Sequence, residues 1–450
     1  MEILFEKTDS LTALIKITLS EADYQERVEK KIKEYARTSH IKGFRPGKVP
    51  ANIIRKMFGK SIKASEVSST SADALENYLR DNDIQILGGP LMSADTQNDN
   101  YDWENQTHFE FAYEIGLRPP LKPTVDKNIV INKPSADVTD EQVEAFIEQL
   151  RRQHMVYEAQ EQVPDMPTVV ISGSVVTASG KPILIPNVNN PEEKHELFVT
   201  NSEGFLVVRL DEIPEHKSIF IGKSANDTVS FDARTLFPSD EQISQVFNIR
   251  LEHAPLIQGE LVLKIARIAI GKLPEINQEF FDAILGAQKV QDEASFRAKL
   301  REIKEREAKI VQKEAMLNQF QDQLLKANYF ALPDSFLKRW LSANNPNLSQ
   351  EEIDRSYESY SDTMRFEMLI AELAKAKGID VKIADIVSCM NDTNFMQMVR
   401  MGYFFMVGME ESLSMNMLKD PAKKNRVDDF ARLTLLHKVF DAYAEEMTIQ

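Results

Sequence analysis

Residues 43–50 read Gly43-Phe44-Arg45-Pro46-Gly47-Lys48-Val49-Pro50. Two glycines and two prolines leave this stretch few backbone shapes, so it reads as a fixed turn. On that turn sit one aromatic ring, one guanidinium and one ammonium. Such groups grip another surface: a guanidinium forks onto a carboxylate or phosphate, and a ring fills an apolar recess. The flanks add charge. Residues 27–63 hold 12 Lys/Arg against 2 Glu, a net of +10 in a chain whose total is −16. That contrast points to a docking site for an anionic partner. The plainer reading is that these lysines only solvate two helices; the make-up of the loop argues against it.

A second cluster of interest lies between residues 390 and 417. It holds Met390, Met396, Met398, Met401, Met406, Met409, Met415 and Met417, with Phe395, Tyr403, Phe404 and Phe405 interleaved. Methionine is flexible and polarizable, so a Met-rich surface accepts many apolar shapes. The candidates for apolar contact are Met390, Phe395, Met396, Met398, Met401, Phe404, Phe405, Met406 and Met409. The same pattern suits the packed interior of a helical bundle, and both readings stand.

Bond-making chemistry finds little support. Gly59-Lys60-Ser61 and Gly222-Lys223-Ser224 look like the end of a phosphate-binding loop, but Ile54 and Lys217 stand where its first glycine must be. The seven histidines are scattered, with no helical His pair and no Cys/His cluster. Cys389 has no activating neighbour in sequence, and there is no Gly-x-Ser-x-Gly elbow. We expect no catalytic residue, no metal and no cofactor from these patterns.

The elements that must position the loop follow from periodicity. Leu11, Ala13, Ile15, Ile17 and Leu19 alternate as a half-buried strand. Ser20 suits an N-cap, and Tyr24, Val28, Ile32 and Tyr35 recur at helical spacing up to the loop. One helical stretch then passes through Ile53, Met57 and Phe58, and another through Val67, Ala74, Leu75, Tyr78 and Leu79. Gly88-Gly89-Pro90 reads as a turn. Phe109, Phe111, Tyr113 and Ile115 form another strand. Residues 1–118 thus read as a small α+β domain that presents the basic loop.

Pro119-Pro120 opens a linker, and Thr139-Asp140-Glu141-Gln142 is a capping box. Val143, Ile147, Leu150, His154 and Tyr157 follow at helical spacing. Residues 163–272 are rich in short β runs, namely 169–171, 183–185, 205–208 and 261–263, so we expect a small β-rich inserted domain. Beyond Pro274 the chain turns helical. Phe296, Ile303, Ile310, Leu317 and Leu324 recur every seven residues, but the second heptad position reads Leu300, Glu307, Glu314, Gln321. Half a seam means a long helix with one side open, not a coiled coil. Leu332-Pro333 breaks it; Ser349 caps the next helix and Gly378 closes that one. Further helices fit 380–390, 394–410 and 427–447.

With 450 residues, about two to four domains are expected. At 42% hydrophobic and 28% charged, the chain folds rather than staying disordered. One cysteine fits a reducing compartment. The first residues show no secretory pattern, and no stretch approaches ~20 apolar residues. The expectation is a cytoplasmic protein with no membrane partner.

The loop matches the motif Gly-Phe-Arg-x-Gly-x-x-Pro at Gly43, Phe44, Arg45, Gly47 and Pro50. Leu273-Pro274-Glu275-Ile276-Asn277-Gln278-Glu279-Phe280 and Ala331-Leu332-Pro333 match helix junctions further on. Together with the order of elements, the chain resembles the bacterial trigger factor family. The resemblance implies an α+β multidomain fold: a ribosome-binding domain at 1–118, a linker and arm helix at 119–162 belonging with the C-terminal body, an inserted FK506-binding-protein-like β domain at 163–272, and an all-α body with arms at 273–450. It implies an ATP-independent chaperone, docked at the ribosomal exit tunnel through Gly43, Phe44, Arg45, Pro46, Gly47, Lys48 and Pro50, that holds nascent chains for folding and export. The partners implied are a ribosomal protein with adjacent rRNA, unfolded polypeptides, and a second copy of the chain off the ribosome.

The family's middle domain is of the peptidyl-prolyl isomerase type, lowering a rotation barrier of ~18–20 kcal/mol. Its site sets an acid beside an aromatic on the first strand. Alignment puts Val170 and Ile171 there, followed by Ser172-Gly173, so that site reads as degraded; Phe198, Phe205, Phe220, Phe231 and Phe237 are left as walls or as core. An isomerase acting on nascent chains is the rival reading. An RNA-binding factor using the loop alone is a third, disfavoured by the acidic remainder.

Overall fold

The computed structural model describes the chain apart from Gly43, Arg45, Pro46 and residues 94–100, 187–193 and 197–205, with backbone alone at 185–186 and 194–196. Contacts divide it into two compact units. Met1–Ser135, Val311–Asn391 and Glu411–Gln450 make the first; Ala136–Ile310 and Asp392–Glu410 make the second.

The first unit opens with strands β1 (Glu2–Lys7) and β2 (Thr12–Leu19), helices α1 (Glu21–Thr38) and α2 (Ala51–Asp81), and strands β3 (Ile86–Met92), β4 (Phe109–Leu117) and β5 (Val130–Ile131). The antiparallel sheet runs β1-β2-β4-β3. Alternation places Ala13, Ile15, Ile17 and Leu19 of β2 in one core with Phe109, Phe111 and Ile115 of β4. Tyr24, Val28 and Ile32 of α1 and Ile54, Ile62, Val67 and Leu75 of α2 fill the rest. Ser20 is the expected N-cap, and with Asp23 it closes a capping box.

Two local readings change here, and one strand is added. Residues 51–81 form one helix, not two: no proline interrupts it, and its buried positions keep helical spacing past Gly59. β1, whose apolar and charged residues are mixed, pairs along β2 as an edge strand. Gly88-Gly89-Pro90 lies within β3, not in a turn, and forms a bulge between Leu87 and Leu91. Gly88 has φ +71°, and a Cβ there would lie 2.9 Å from Trp340 Cδ2. The glycines flatten the strand so that the indole can lie on it.

The second unit holds α3 (Asp140–Gln153), then β6 (Val156–Ala159), β7 (Val169–Thr177), β8 (Leu184–Pro186), β9 (Lys194–Glu196), β10 (Leu206–Arg209), β11 (Thr228–Asp232), the short helices α4 (Ala233–Leu236) and α5 (Asp240–Phe247), and β12 (Glu260–Lys272). β10, β7, β12 and β11 are neighbours in that order, and β6 pairs the far end of β12. Tyr157 belongs to β6 and is exposed, rather than on the face of α3. The helix has already ended at its His154 cap. Ile171, Val208, Phe220, Phe237, Phe247, Leu263 and Ile265 build the core of this domain.

Helices α6 (Gln278–Leu285) and α7 (Glu293–Ala327) follow. The early part of α7 buries Phe296, Leu300 and Ile303 against Val143 and Ile147 of α3 and Phe281 of α6. Its later part buries Met316, Leu317, Phe320 and Leu324 within the first unit, where Phe440 packs edge-on against Phe320. Between them Ile310 is only half-buried and Val311 is exposed, as the half-seam implies. The remaining elements are α8 (Asp334–Asn344), α9 (Gln350–Lys377), α10 (Ile383–Arg400), α11 (Glu410–Lys419), α12 (Lys424–Tyr443) and β13 (Thr448–Ile449), which pairs in parallel with β5. The expected break near 390–394 is absent: α10 runs through it and stops before Gly402, which takes φ +74°.

Candidate functional site

The loop between α1 and α2 is anchored from below and open above. Ser39 caps α1 through its N–H to the Tyr35 carbonyl, and the Pro50 carbonyl accepts from Ile53 and starts α2. Val49 is buried among core residues, while Phe44, Gly47, Lys48 and Pro50 are exposed. Gly47 adopts φ +77°, where a side chain is strained, and a Cβ would come 3.4 Å from the Arg37 carbonyl oxygen. Gly43, Arg45 and Pro46 lie outside the described residues.

The charge of this region sorts into two sets. Arg27 bridges Glu66 and Asp73, Lys31 pairs with Glu34, Arg55 with Glu29, and Lys60 with Glu104. The Asp73 hydrogen bond lifts Arg27 above its ordinary guanidinium value. Lys63 donates to the Gln106 carbonyl and stands 5.4 Å over the Phe109 ring. Lys30, Lys33, Arg37, Lys42, Lys48 and Lys56 are exposed and make no ion pair with any described residue. Lys30, Lys33 and Arg37 share one face of α1 by their spacing. Phe44, Tyr35 and Met57 add exposed apolar surface at 38%, 39% and 56%. The tip therefore offers cations that have no ion-pair partner among the described residues, beside solvent-facing apolar groups.

The Met-rich segment divides. Met390, Phe395, Met396, Met398 and Phe404 are buried, Met406 is half-buried, and Met401, Phe405 and Met409 are exposed. Tyr403 is exposed as well. The division comes from Gly402 and Gly408, whose positive φ values turn the chain out of helix on either side of a short 3₁₀ turn, Phe404–Met406. Reading 394–410 as one helix misses this; those two glycines are the signal that marks it. Phe404 anchors the turn edge-on to Phe146 at 5.5 Å.

A polar clamp holds the same turn. Arg306 Nη1 donates to Glu410 Oε1 at 2.9 Å, its Nη2 reaches Asp392 at 3.2 Å, and its guanidinium lies 4.0 Å over the Phe395 ring. The other oxygen of the buried Glu410 carboxylate accepts from the Gly408 N–H at 2.9 Å. Glu410→Ala is expected to cost about 2 kcal/mol, since it strands a charge-assisted donor and a backbone N–H. Denaturant unfolding checks the loss, and faster amide exchange at 401–409 shows that it is local.

In the β domain, Ile171 is core and Val170 faces outward. Phe220, Phe231 and Phe237 are buried, the last two in an edge-to-face chain with Phe247; Phe198 and Phe205 lie outside the described residues. Among the described residues no group of three or more His, Cys, Asp or Glu is placed to hold a metal ion, and no helix is long and apolar enough to cross a membrane.

The chain carries several domains and exposed surfaces of unlike chemistry, and it belongs to the class of multidomain chaperones. Comparison with known families agrees along the chain. The model described as bacterial trigger factor protein matches residues 1–150, that of the probable trigger factor FKBP-like domain 191–270, and that of the probable trigger factor C-terminal domain 298–450. The chain belongs to the trigger factor family, and its function is that of a ribosome-associated chaperone. Trigger factor of Hahella chejuensis is 26% identical over 340 residues, covering 75% of this chain and 69% of its own. That of Marinobacter nauticus is 25% identical, covering 79% and 74%. That of Aeromonas salmonicida is 27% identical, covering 74% and 70%.

Proposed function

We propose that this chain acts in the cytoplasm without ATP, docking beside the ribosomal exit tunnel through the loop Gly43, Phe44, Arg45, Pro46, Gly47, Lys48, Pro50 and holding the emerging polypeptide. The observation that carries the reading is the exposure of Phe44 among cations that have no ion-pair partner among the described residues. The ring seats in an apolar recess of a ribosomal protein, Arg45 forks onto a carboxylate or phosphate, and the lysines draw the tip toward rRNA. Residues 1–118 serve docking; 273–450 with 119–162 serve holding; 163–272 act as a spacing or client-contacting module. Exposed Met401, Tyr403, Phe405 and Met409 meet the client, and the buried Phe395, Met396, Met398 and Phe404, with half-buried Met406, support them from beneath; Met390 is buried in the first unit.

The test is co-sedimentation with translating ribosomes. Phe44→Ala with Arg45→Ala is expected to remove the protein from the ribosomal pellet while its circular dichroism stays unchanged. Rising salt is expected to weaken wild-type binding progressively. Undiminished co-sedimentation of the double variant refutes the assignment.

A further inference from the structure

The N-terminal sheet ends in an open edge. β1 lies first in the order β1-β2-β4-β3, and among the described residues no strand pairs with its other side. The pairing fixes which backbone groups that edge presents. The Leu117 N–H donates to the Leu11 carbonyl, and the register carries this bonding to Ala13, Ile15, Ile17 and Leu19, so β2 serves β4 with its odd residues. Antiparallel strands alternate bonded and non-bonded pairs, which leaves the even residues of β2 to serve β1. Those are Leu14, Lys16 and Thr18, opposite Glu6, Leu4 and Glu2. The Thr8 N–H, donating to the Thr12 carbonyl at 3.0 Å, keeps the same parity. Ile3, Phe5 and Lys7 therefore turn their N–H and carbonyl groups outward.

The side chains of this edge fall on two faces. Ile3 and Phe5 pack toward the core, and the Phe5 ring lies 6.5 Å from that of Tyr78 on α2. Beside them runs a trough of about 410 Å³ floored by Ile3, Thr70, Ala74 and Tyr78, within the roughly 300–1,000 Å³ of ligand sites. Arg27 also lines it, but Glu66 and Asp73 hold that guanidinium. On the other face Glu2, Leu4 and Glu6 are exposed in a row. Glu2 has no ion-pair partner among the described residues, and Lys16 comes no nearer to Glu6 than 3.8 Å. An uncovered edge of this kind is a template for strand addition.

We infer that β1 accepts a strand-forming segment of an unfolded polypeptide, added antiparallel. Small apolar side chains of that segment enter the trough, and a row of Lys, apolar, Lys lies against Glu2, Leu4 and Glu6. Cross-strand pairs of opposite charge favour such a row. A second copy of the chain fits less well: β1 laid on β1 in full overlap, centred on Leu4, sets Glu2 against Glu6 twice. Thr70 stands roughly 30 Å along α2 from the docking loop, so the edge adds a holding site to the domain that docks.

The experiment uses the full chain and labelled unstructured peptides centred on Lys-Val-Leu-Val-Lys or Glu-Val-Leu-Val-Glu, read by fluorescence anisotropy. Wild type is expected to bind the Lys peptide about tenfold more tightly. Glu2→Lys with Glu6→Lys, at exposed positions, is expected to reverse the order. Backbone methylation gives a readout that charge alone does not move. The valines sit opposite Ile3 and Phe5, so their N–H groups point at β1; N-methylation of both is expected to abolish binding, and N-methylation of the leucine to leave it intact. Absent or equal binding of the two peptides by wild type overturns the inference. So does a preference that survives the charge swap, an equal effect of the two methylations, or a dimer of the chain that the Lys peptide dissociates, which would assign the edge to a second copy. No ribosome is present in the assay, so its outcome is independent of the docking proposal.

Discussion

Gly173→Ala is expected to unfold the β domain. A Cβ at this position would lie 2.0 Å from the Lys264 carbonyl oxygen, 2.8 Å from its carbon and 3.1 Å from Ile265 Cα. All three are backbone atoms, so no rotamer relieves the clash; β7 and β12 must separate. That pair is the centre of the sheet, and Val169, Ile171, Val175, Leu261, Leu263, Ile265 and Ile268 pack from it into one core. The loss should lie at or beyond the roughly 3 kcal/mol upper end of ordinary substitutions, a large part of the 5–15 kcal/mol that stabilises a domain. Limited proteolysis of the full chain should cut within 163–272 while the N-terminal sheet stays protected. A melting profile identical to wild type would show that the two strands can move apart at little cost.

Phe336→Ala is expected to loosen α8 from the N-terminal sheet. Phe336 is fully buried, and its ring lies against Gly116, where a Cβ would meet it at 2.7 Å. Trp340, one turn on, covers Gly88 and Gly89. Arg339 forks onto Glu114, and Arg118 reaches Glu372 at 2.9 Å. Truncating a buried Phe costs about 3–5 kcal/mol. The Arg339–Glu114 pair is exposed and contributes little against that, and the Arg118–Glu372 pair joins the sheet's end to α9, so ion pairs do not hold α8 alone. Hydrogen exchange should quicken at β3, β4 and α8, with α1, α2 and the docking tip unaffected and ribosome binding retained. Unaltered exchange at β3 would show that Trp340 suffices.

Much of the architecture is legible in the residues because it rests on local signals. Strict alternation marks β2 and β4, and the N-cap Ser20 and the capping boxes at Thr139 and Ser349 mark helix starts that the structure repeats. The basic loop is legible for the same reason: its composition and charge contrast need no tertiary context. The misreadings share one cause. Gly88-Gly89-Pro90 carries turn chemistry, yet a distant indole and the pairing with β4 hold it in a strand. Tyr157 continues a helical period, yet β12 offers it a ladder instead.

The amino-acid order alone thus carried the family resemblance and the half-seamed long helix and singled out a candidate docking loop, because motif, charge and periodicity are properties of neighbours along a chain. Only the folded structure decided which cations of 27–63 are already neutralised, which Met and aromatic side chains reach solvent, and which backbone groups of β1 stand at the sheet's edge. Those outcomes depend on partners tens to hundreds of residues away and on the parity of strand pairing. Burial and pairing are contests between distant groups for the same space, and no local pattern announces the winner.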